Sequence, residues 1–572
     1  MKGQSLTVLK RSFAGALAAL MIAGTPPAAA GPDAGAYLAA RQAGLANDFG
    51  QAARHFSESL IADPANAYLL ENAMTSYIAM GDIARAIPVA QTIVDNGYES
   101  QIANLTLMAA HANAGEWSNL HDGLAAGQSV GPLVDGLAHA WAYLGQGDMT
   151  AAVAGFDQVI ATEGMLVYGV THKAYALASV GDFEGAEAIL SGPVAGGMRY
   201  SRQSAIAHAQ ILSQLGRNAD ALGIVDAVFG GQIDPGIAAL RAQLADDQAV
   251  AYSAVRTPAQ GLADLFHVIA GLVQEDAPEQ FTLMYARAST YLWPENTPAV
   301  LMNAALLEEL EQYDLANAAY TTVAADDPSF HAAELGRAEV LRAAGRQEAA
   351  IEVLDALSRS HPNLAEVYAT KGDTLRQADR YADAIAAYTK ALDLYDPDHS
   401  ARWFVHFTRG IAHHKTDNWP GAEADFRASL ALRPDHPQVL NYLGYSLVER
   451  GEKLDEALGM IETAAAARPD NGAIVDSLGW VYFQLGRYDD AVAHLERAAS
   501  LEPVDPVIND HLGDALWAVG REIEARFQWQ RALSFDPEED EALRIRDKLQ
   551  RGLDLVLVDE GLTPIRIASG DN

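Results

Sequence analysis

A recurrence of 34 residues constrains this chain more than any other feature. Laid over itself across Ala473–Pro537, the sequence returns Ala491 as Ala525, Ala498 as Ala532, Gly479 as Gly513 and Pro503 as Pro537. Within one period Leu478, Gly479 and Tyr482 fall three and four apart, which puts them on one stripe of a helix. Gly486 supplies a left-handed turn, and a second helix from Tyr488 to Leu501 aligns Ala491, Leu495 and Ala498 before Pro503 stops it. Neither helix can bury its stripe alone, so the hairpins have to stack on one another. Added length then adds repeats to an array and does not thicken a single core.

The beat runs through most of the chain. Second helices open at Ala52, Ala86, Leu120, Ala152, Ala186 and Ala221 in a degenerate first set, and at Thr282, Ala316, Ala350, Ala384, Ala422, Ala457, Ala491 and Ala525 in a regular second set. Between Gly230 and Arg256 the phase is lost. Asp234-Pro235-Gly236 makes a turn there, and Ile237 to Arg256 reads as extra helix, either a hinge or a divergent repeat. Thr257-Pro258 is a helix start. The expected organisation is a leader at 1–30, an N-terminal array at 31–230 and an irregular helical connector at 231–256. A second array at 257–537, a capping helix at 538–552 and a tail at 553–572 follow, with about 14 repeats in all. The tail stretch Leu553–Val558 is β-prone, and either pairs with a partner's sheet edge or docks loosely.

Composition agrees with an all-α solenoid: half of the residues are hydrophobic but only 8% are aromatic, as suits helices packed through small side chains. The leader differs. Lys2, Lys10 and Arg11 precede an apolar run from Phe13 to Gly24, then Pro26-Pro27 and Ala28-Ala29-Ala30, the pattern of an export signal cleaved after Ala30. With no cysteine, the chain has neither disulfides nor an acylation site at that junction. A formal net charge of −36 disfavours nucleic acid and anionic membrane as partners, and favours neutral or basic ones.

No glycine-rich phosphate loop with its lysine, no G-x-S-x-G turn and no H-E-x-x-H helix occurs, so neither an enzyme nor a cofactor is indicated. His406 and His413 lie two turns apart on one helix face, about 10 Å, too far to share a metal ion. A candidate binding surface lies on the first helices. Positions three and four apart on their inner face are Asn441, Tyr445 and Val448, then Asp476, Trp480 and Phe483, then Asp510, Asp514 and Trp517. These aromatic and acidic groups either pack between repeats or form a groove for a protein segment with basic and apolar residues.

The markers Leu-Gly, Tyr, Ala, aromatic, Ala and Pro identify most of the chain as resembling the tetratricopeptide repeat (TPR) superfamily, which implies a protein-binding scaffold. A narrower resemblance rests on Arg409-Gly-Ile-Ala412, Trp419-Pro-Gly-Ala-Glu-Ala-Asp425, Leu440-Asn-Tyr-Leu-Gly-Tyr445, Ile474-Val-Asp-Ser-Leu-Gly-Trp480, Ile508-Asn-Asp-His-Leu-Gly-Asp514 and Glu524-Ala-Arg-Phe-Gln-Trp529. These stretches look like an exported proteobacterial TPR family related to lipoprotein adaptors of carboxyl-terminal processing proteases. That likeness implies a periplasmic adaptor presenting cell-wall hydrolases to a protease, although this chain lacks the lipoproteins' cysteine. A carbohydrate-binding scaffold for envelope polysaccharide export is the alternative. The leader makes one direct prediction: N-terminal sequencing of the native protein returns Gly31, and recovery of Met1 would refute cleavage.

Overall fold

In the computed structural model the described residues are 34–193, 199–230 and 234–565; the leader lies outside them. Among the described residues there are 31 helices and no strand. They form fourteen helix–turn–helix hairpins, a single helix Pro235–Ala245 after the sixth, and helices Glu539–Arg551 and Leu553–Asp559 after the last. Every residue that marks the opening of a second helix is buried, and all but Leu120 are fully inaccessible. The turn glycines Gly115, Gly147, Gly181, Gly216 and Gly486 all take a positive φ. Glycines on first helices serve close approach instead: a Cβ on Gly479 would lie 2.5 Å from Leu495 Cγ, and one on Gly513 2.4 Å from the Trp529 ring.

The helices divide into two compact units at Val353/Leu354, almost a hundred residues beyond the boundary that the repeat phase suggests. The reason is packing within the first unit. Helices Pro258–Val273 and Glu279–Leu292 resume the regular period, but they lie against the first helices of four earlier hairpins, Ala67–Met80, Gln101–Ala114, Pro132–Gly145 and Leu166–Ser179. One apolar cluster takes in Trp141, Phe156, Leu262, Phe266, Ile269 and Tyr285, all at most 1% exposed. A Cβ on Gly261 would sit 2.2 Å from the Trp141 ring. Polar contacts fix the same seam: Arg287 donates to the Ala79 carbonyl at 2.8 and 3.1 Å, and Gln101 Nε2 to the Tyr285 hydroxyl at 3.1 Å. A cut before Thr257 strips these partners away, so residue 257 is not a domain boundary.

The connector is likewise neither helical throughout nor a loose hinge. Its helix stops at Ala245, and Asp247 takes a φ of 55° that a helix cannot continue. Three glutamines on helix Arg202–Gln214 then hold the following extended stretch: Gln203 donates to the Ala254 carbonyl, Gln210 to Ser253 Oγ and Gln214 to the Val250 carbonyl. At the other end of the chain, Leu553–Asp559 is helical and not strand-like. Leu553, Val556 and Leu557 are buried, and the i, i+3, i+4 spacing of these apolar side chains outweighs their β-propensity.

Inside the first unit one acid has no cation beside it. The Asp264 side chain, on helix Pro258–Val273, faces His172 Nε2 at 3.9 Å, while Trp141 Nε1 donates to His172 Nδ1 at 3.2 Å. The imidazole therefore accepts at Nδ1 and stays neutral, with burial lowering it to about 3. Burial raises Asp264 to about 7. The folded unit thus keeps a proton on Asp264 that the unfolded chain loses above about pH 4. The Asp264 contribution to stability falls as pH rises from there to about 7 and is level beyond, by on the order of 4 kcal/mol in all, while the neutral His172 opposes it with a contribution that rises with pH between about 3 and 6.5. Asp264→Asn is expected to remove that fall and to raise the urea midpoint more at pH 8 than at pH 5. Equal gains at both values would refute the assignment.

Candidate functional site

The candidate groove lies in the second unit, on first helices Pro437–Glu449, Gly472–Gln484 and Pro506–Ala518. Its members separate into three groups. Asn441 and Tyr445 are half-buried, and the Asn441 Oδ1 has no hydrogen-bond partner. Burial raises the Tyr445 hydroxyl, with smaller pushes from the carboxylates of Glu449, Asp476 and Glu541. Glu541 belongs to helix Glu539–Arg551, so that helix and Pro437–Glu449 approach the same space.

The second group is a stack. Trp480 lies over His511 at 3.9 Å between ring centroids and 12° between planes, and over Phe483 at 4.7 Å and 6°. The Asp476 carboxylate, 5% exposed, holds His511 Nδ1 at 3.0 and 3.1 Å. Burial opposes charge on His511, but Asp476, with help from Asp510 and Asp514, raises its pKa above the ordinary value. The stack therefore places an imidazole of raised basicity against the Trp480 face.

In the third group the carboxylates are satisfied within the chain. Lys548 Nζ, fully inaccessible, donates to Asp510 Oδ2 and Asp514 Oδ2, each at 2.7 Å. Trp529 Nε1 donates to Asp514 Oδ1 at 2.8 Å, and Arg544 lies 3.7 Å from Asp514. Burial pushes the Asp514 carboxyl up, against the pull of Lys548 and Arg544. Trp517 is buried too, its Nε1 donating to Asp554 Oδ2 at 2.9 Å.

Asp476, Asp510 and Asp514 are therefore not an open acidic wall, as the sequence suggested. Their charges are met by His511, Lys548 and Arg544, because the helix after the last hairpin continues the array and brings two cations into register. The missed signal was in the period itself: Arg544 and Lys548 stand one repeat beyond Asp510 and Asp514. One repeat before Asn441, Tyr445 and Val448 the same register holds Phe407, Ile411 and His414, all half-buried and also missed.

The histidines of the repeat Arg402–Leu432 serve packing. His406 Nδ1 sits 2.8 Å from Asp425 Oδ1, Arg409 grips both Asp425 oxygens at 2.7 Å, and His413 lies 3.9 Å away. Among the described residues no cluster is arranged to hold a metal ion, and no helix is long and apolar enough to cross a membrane.

Helical hairpins stacked in a regular 34-residue register define a superhelical repeat protein. Comparison names the repeat: tetratricopeptide repeat models match residues 292–373 and 452–510, 407–472, and 365–398, so the chain carries TPR repeats over this region. A 159-residue segment is 31% identical to the TPR repeat-containing protein PA4667 of Pseudomonas aeruginosa, covering 28% of this chain and 26% of that one. Human tetratricopeptide repeat protein 13 is 27% identical over 175 residues, 30% of this chain and 20% of the relative. The chain thus spans about a quarter or less of these relatives. Among solved structures, the APC/C hetero-tetramer Cut9–Hcn1 covers 96% of this chain and 99% of its own at 14% identity and a TM-score of 0.38. MamA of MSR-1 covers 30% and 96% at 27% identity and a TM-score of 0.26. As a protein carrying TPR repeats, the chain is of a kind that mediates protein–protein interaction.

The cis pairing has a measurable price. Lys548→Met leaves the buried Asp514 and the half-buried Asp510 without their closest cation and is expected to cost about 3–5 kcal/mol in urea denaturation. Adding Asp514→Asn to that variant should restore much of the loss. A single variant as stable as the wild type would show the pair to be solvated.

Proposed function

We propose that this chain is an exported, non-catalytic scaffold of the periplasm that holds a partner protein along the first-helix face of its second unit. The carrying observation is the state of that face: Tyr445 and Trp480 are only half-buried on it. Glu449 and Glu541, both exposed, act electrostatically on the Tyr445 hydroxyl. Such a surface suits a segment that lays an apolar side chain on the rings and turns a lysine or arginine toward Glu449 and Glu541. The basic and apolar ligand inferred from sequence is retained, with these two glutamates in place of the three aspartates. The export pattern of residues 1–30 supports the periplasmic location. In its most specific form the reading is an adaptor for a carboxyl-terminal processing protease and its cell-wall hydrolase substrates, supported by the motifs between Arg409 and Trp529.

Affinity capture from a periplasmic extract with the mature chain tests the reading. Tyr445→Ala with Glu449→Gln and Glu541→Gln is expected to weaken capture at least about tenfold and to flatten its salt dependence, while helical circular dichroism stays unchanged. Undiminished capture would move the site elsewhere. Binding to a glycan array and not to a peptide array would favour the carbohydrate alternative.

A further inference from the structure

Beyond the capping helix Glu539–Arg551 the chain makes one more element that the repeat does not call for. Helix Glu539–Arg551 already supplies Lys548 and Arg544 to the last hairpin. The short helix Leu553–Asp559 is joined to it by Gly552 alone, at a φ of 86° and a ψ of 155°, and turns back over Trp517. Gly552 lies so close that a Cβ there would be 2.7 Å from the Trp517 ring.

The seat under this strap has a definite chemistry. Its floor is Trp517, with Tyr488 near enough to sense the charge of Asp554. Leu553, Val556 and Leu557 are buried, and Leu553 and Leu557 share one apolar cluster with Trp517. Each acid of the strap meets a donor. Asp554 takes the Trp517 indole N–H, Asp559 takes Arg551 at 2.6 Å, and Glu560 takes Arg544 at 2.7 Å. An apolar floor with one indole donor and two guanidinium groups at its rim is more specific than a cap requires. It reads a short apolar helix that carries one acid near its start and two at its end.

We propose that this seat is a second docking site, for an acidic amphipathic segment of a partner protein, and that residues 553–565 fill it in cis as an exchangeable strap. The site uses other residues than the Tyr445, Glu449 and Glu541 surface and prefers the opposite charge. A seven-residue helix has little stability of its own, so the strap's hold depends on its three buried side chains and its acid contacts. A partner segment with the same pattern competes for the seat by replacing those contacts one for one.

The probe is a fluorescent peptide of residues 553–565, titrated against the full chain and against the full chain carrying Leu553→Asp and Leu557→Asp to loosen its own strap. The variant is expected to bind the peptide at least about tenfold more tightly than the wild type. A peptide with Asp554→Lys, Asp559→Lys and Glu560→Lys is expected not to bind. Equal affinity of the two chains, or equal binding of the charge-reversed peptide, overturns the proposal. Should the variant misfold, hydrogen exchange on the wild type decides. Amides of Val556 to Gly561 must exchange at least about a hundredfold faster than those in the middle of helix Pro506–Ala518, and exchange of both at one common rate shows that the strap never lifts. Adding Tyr445→Ala leaves peptide binding unchanged if the two sites are separate, so either reading can fail without the other.

Discussion

Each of the five hairpins between Ala365 and Leu533 depends on one steric contact, a glycine on the first helix against a large side chain on the second. Gly372 meets Tyr388, Gly410 meets Phe426, Gly479 meets Leu495 and Gly513 meets Trp529, all at distances where a Cβ would collide. The buried second-helix alanines do the same from the other side. Because these contacts set how far apart the two helices sit, they also set the angle at which the next hairpin stacks. The positions of Tyr445, Trp480 and Trp517 along one face follow from that spacing, and so does the delivery of Lys548 to Asp514.

One repeat keeps the spacing but changes the interior. Where the next repeat places Leu443 and Leu447, the hairpin Arg402–Leu432 places Arg409 and His413, and these with His406 surround Asp425. Nearby cations and hydrogen bonds hold Asp425 below the usual carboxylate range even though burial opposes ionisation. A cluster of this kind adds little net stability over a leucine interior, since its desolvation offsets much of the attraction. It does impose direction, because a bidentate guanidinium fits in one orientation where leucines tolerate several.

Much of the architecture was legible in the 34-residue recurrence: the all-helical class, the marker residues and the turn glycines are local properties, repeated often enough to be read from spacing. What escaped was set by contacts far apart in sequence. Nothing near Thr257 announces that Leu262 and Phe266 are claimed by Trp141 and Phe156, so the change of phase looked like a boundary. The β-prone run Leu553–Val558 became helix once its apolar side chains found the last hairpin. For the candidate groove, the face and its aromatic residues were readable from helix periodicity. The state of its carboxylates was not sought in the period, although Arg544 and Lys548 stand there in plain register.

The seam between the first array and helices 258–292 also fixes the order in which the chain can assemble. Arg287 reaches back 208 residues to Ala79, and Tyr285 reaches back 184 to Gln101. A chain made or threaded from its N-terminus completes its first hairpins well before their inner partner exists. Through that interval Trp141 lacks the backbone of Gly261 that later covers it, and the pairing has to close a long loop. The first unit therefore stays an open half-core until residues 258–292 exist to close it.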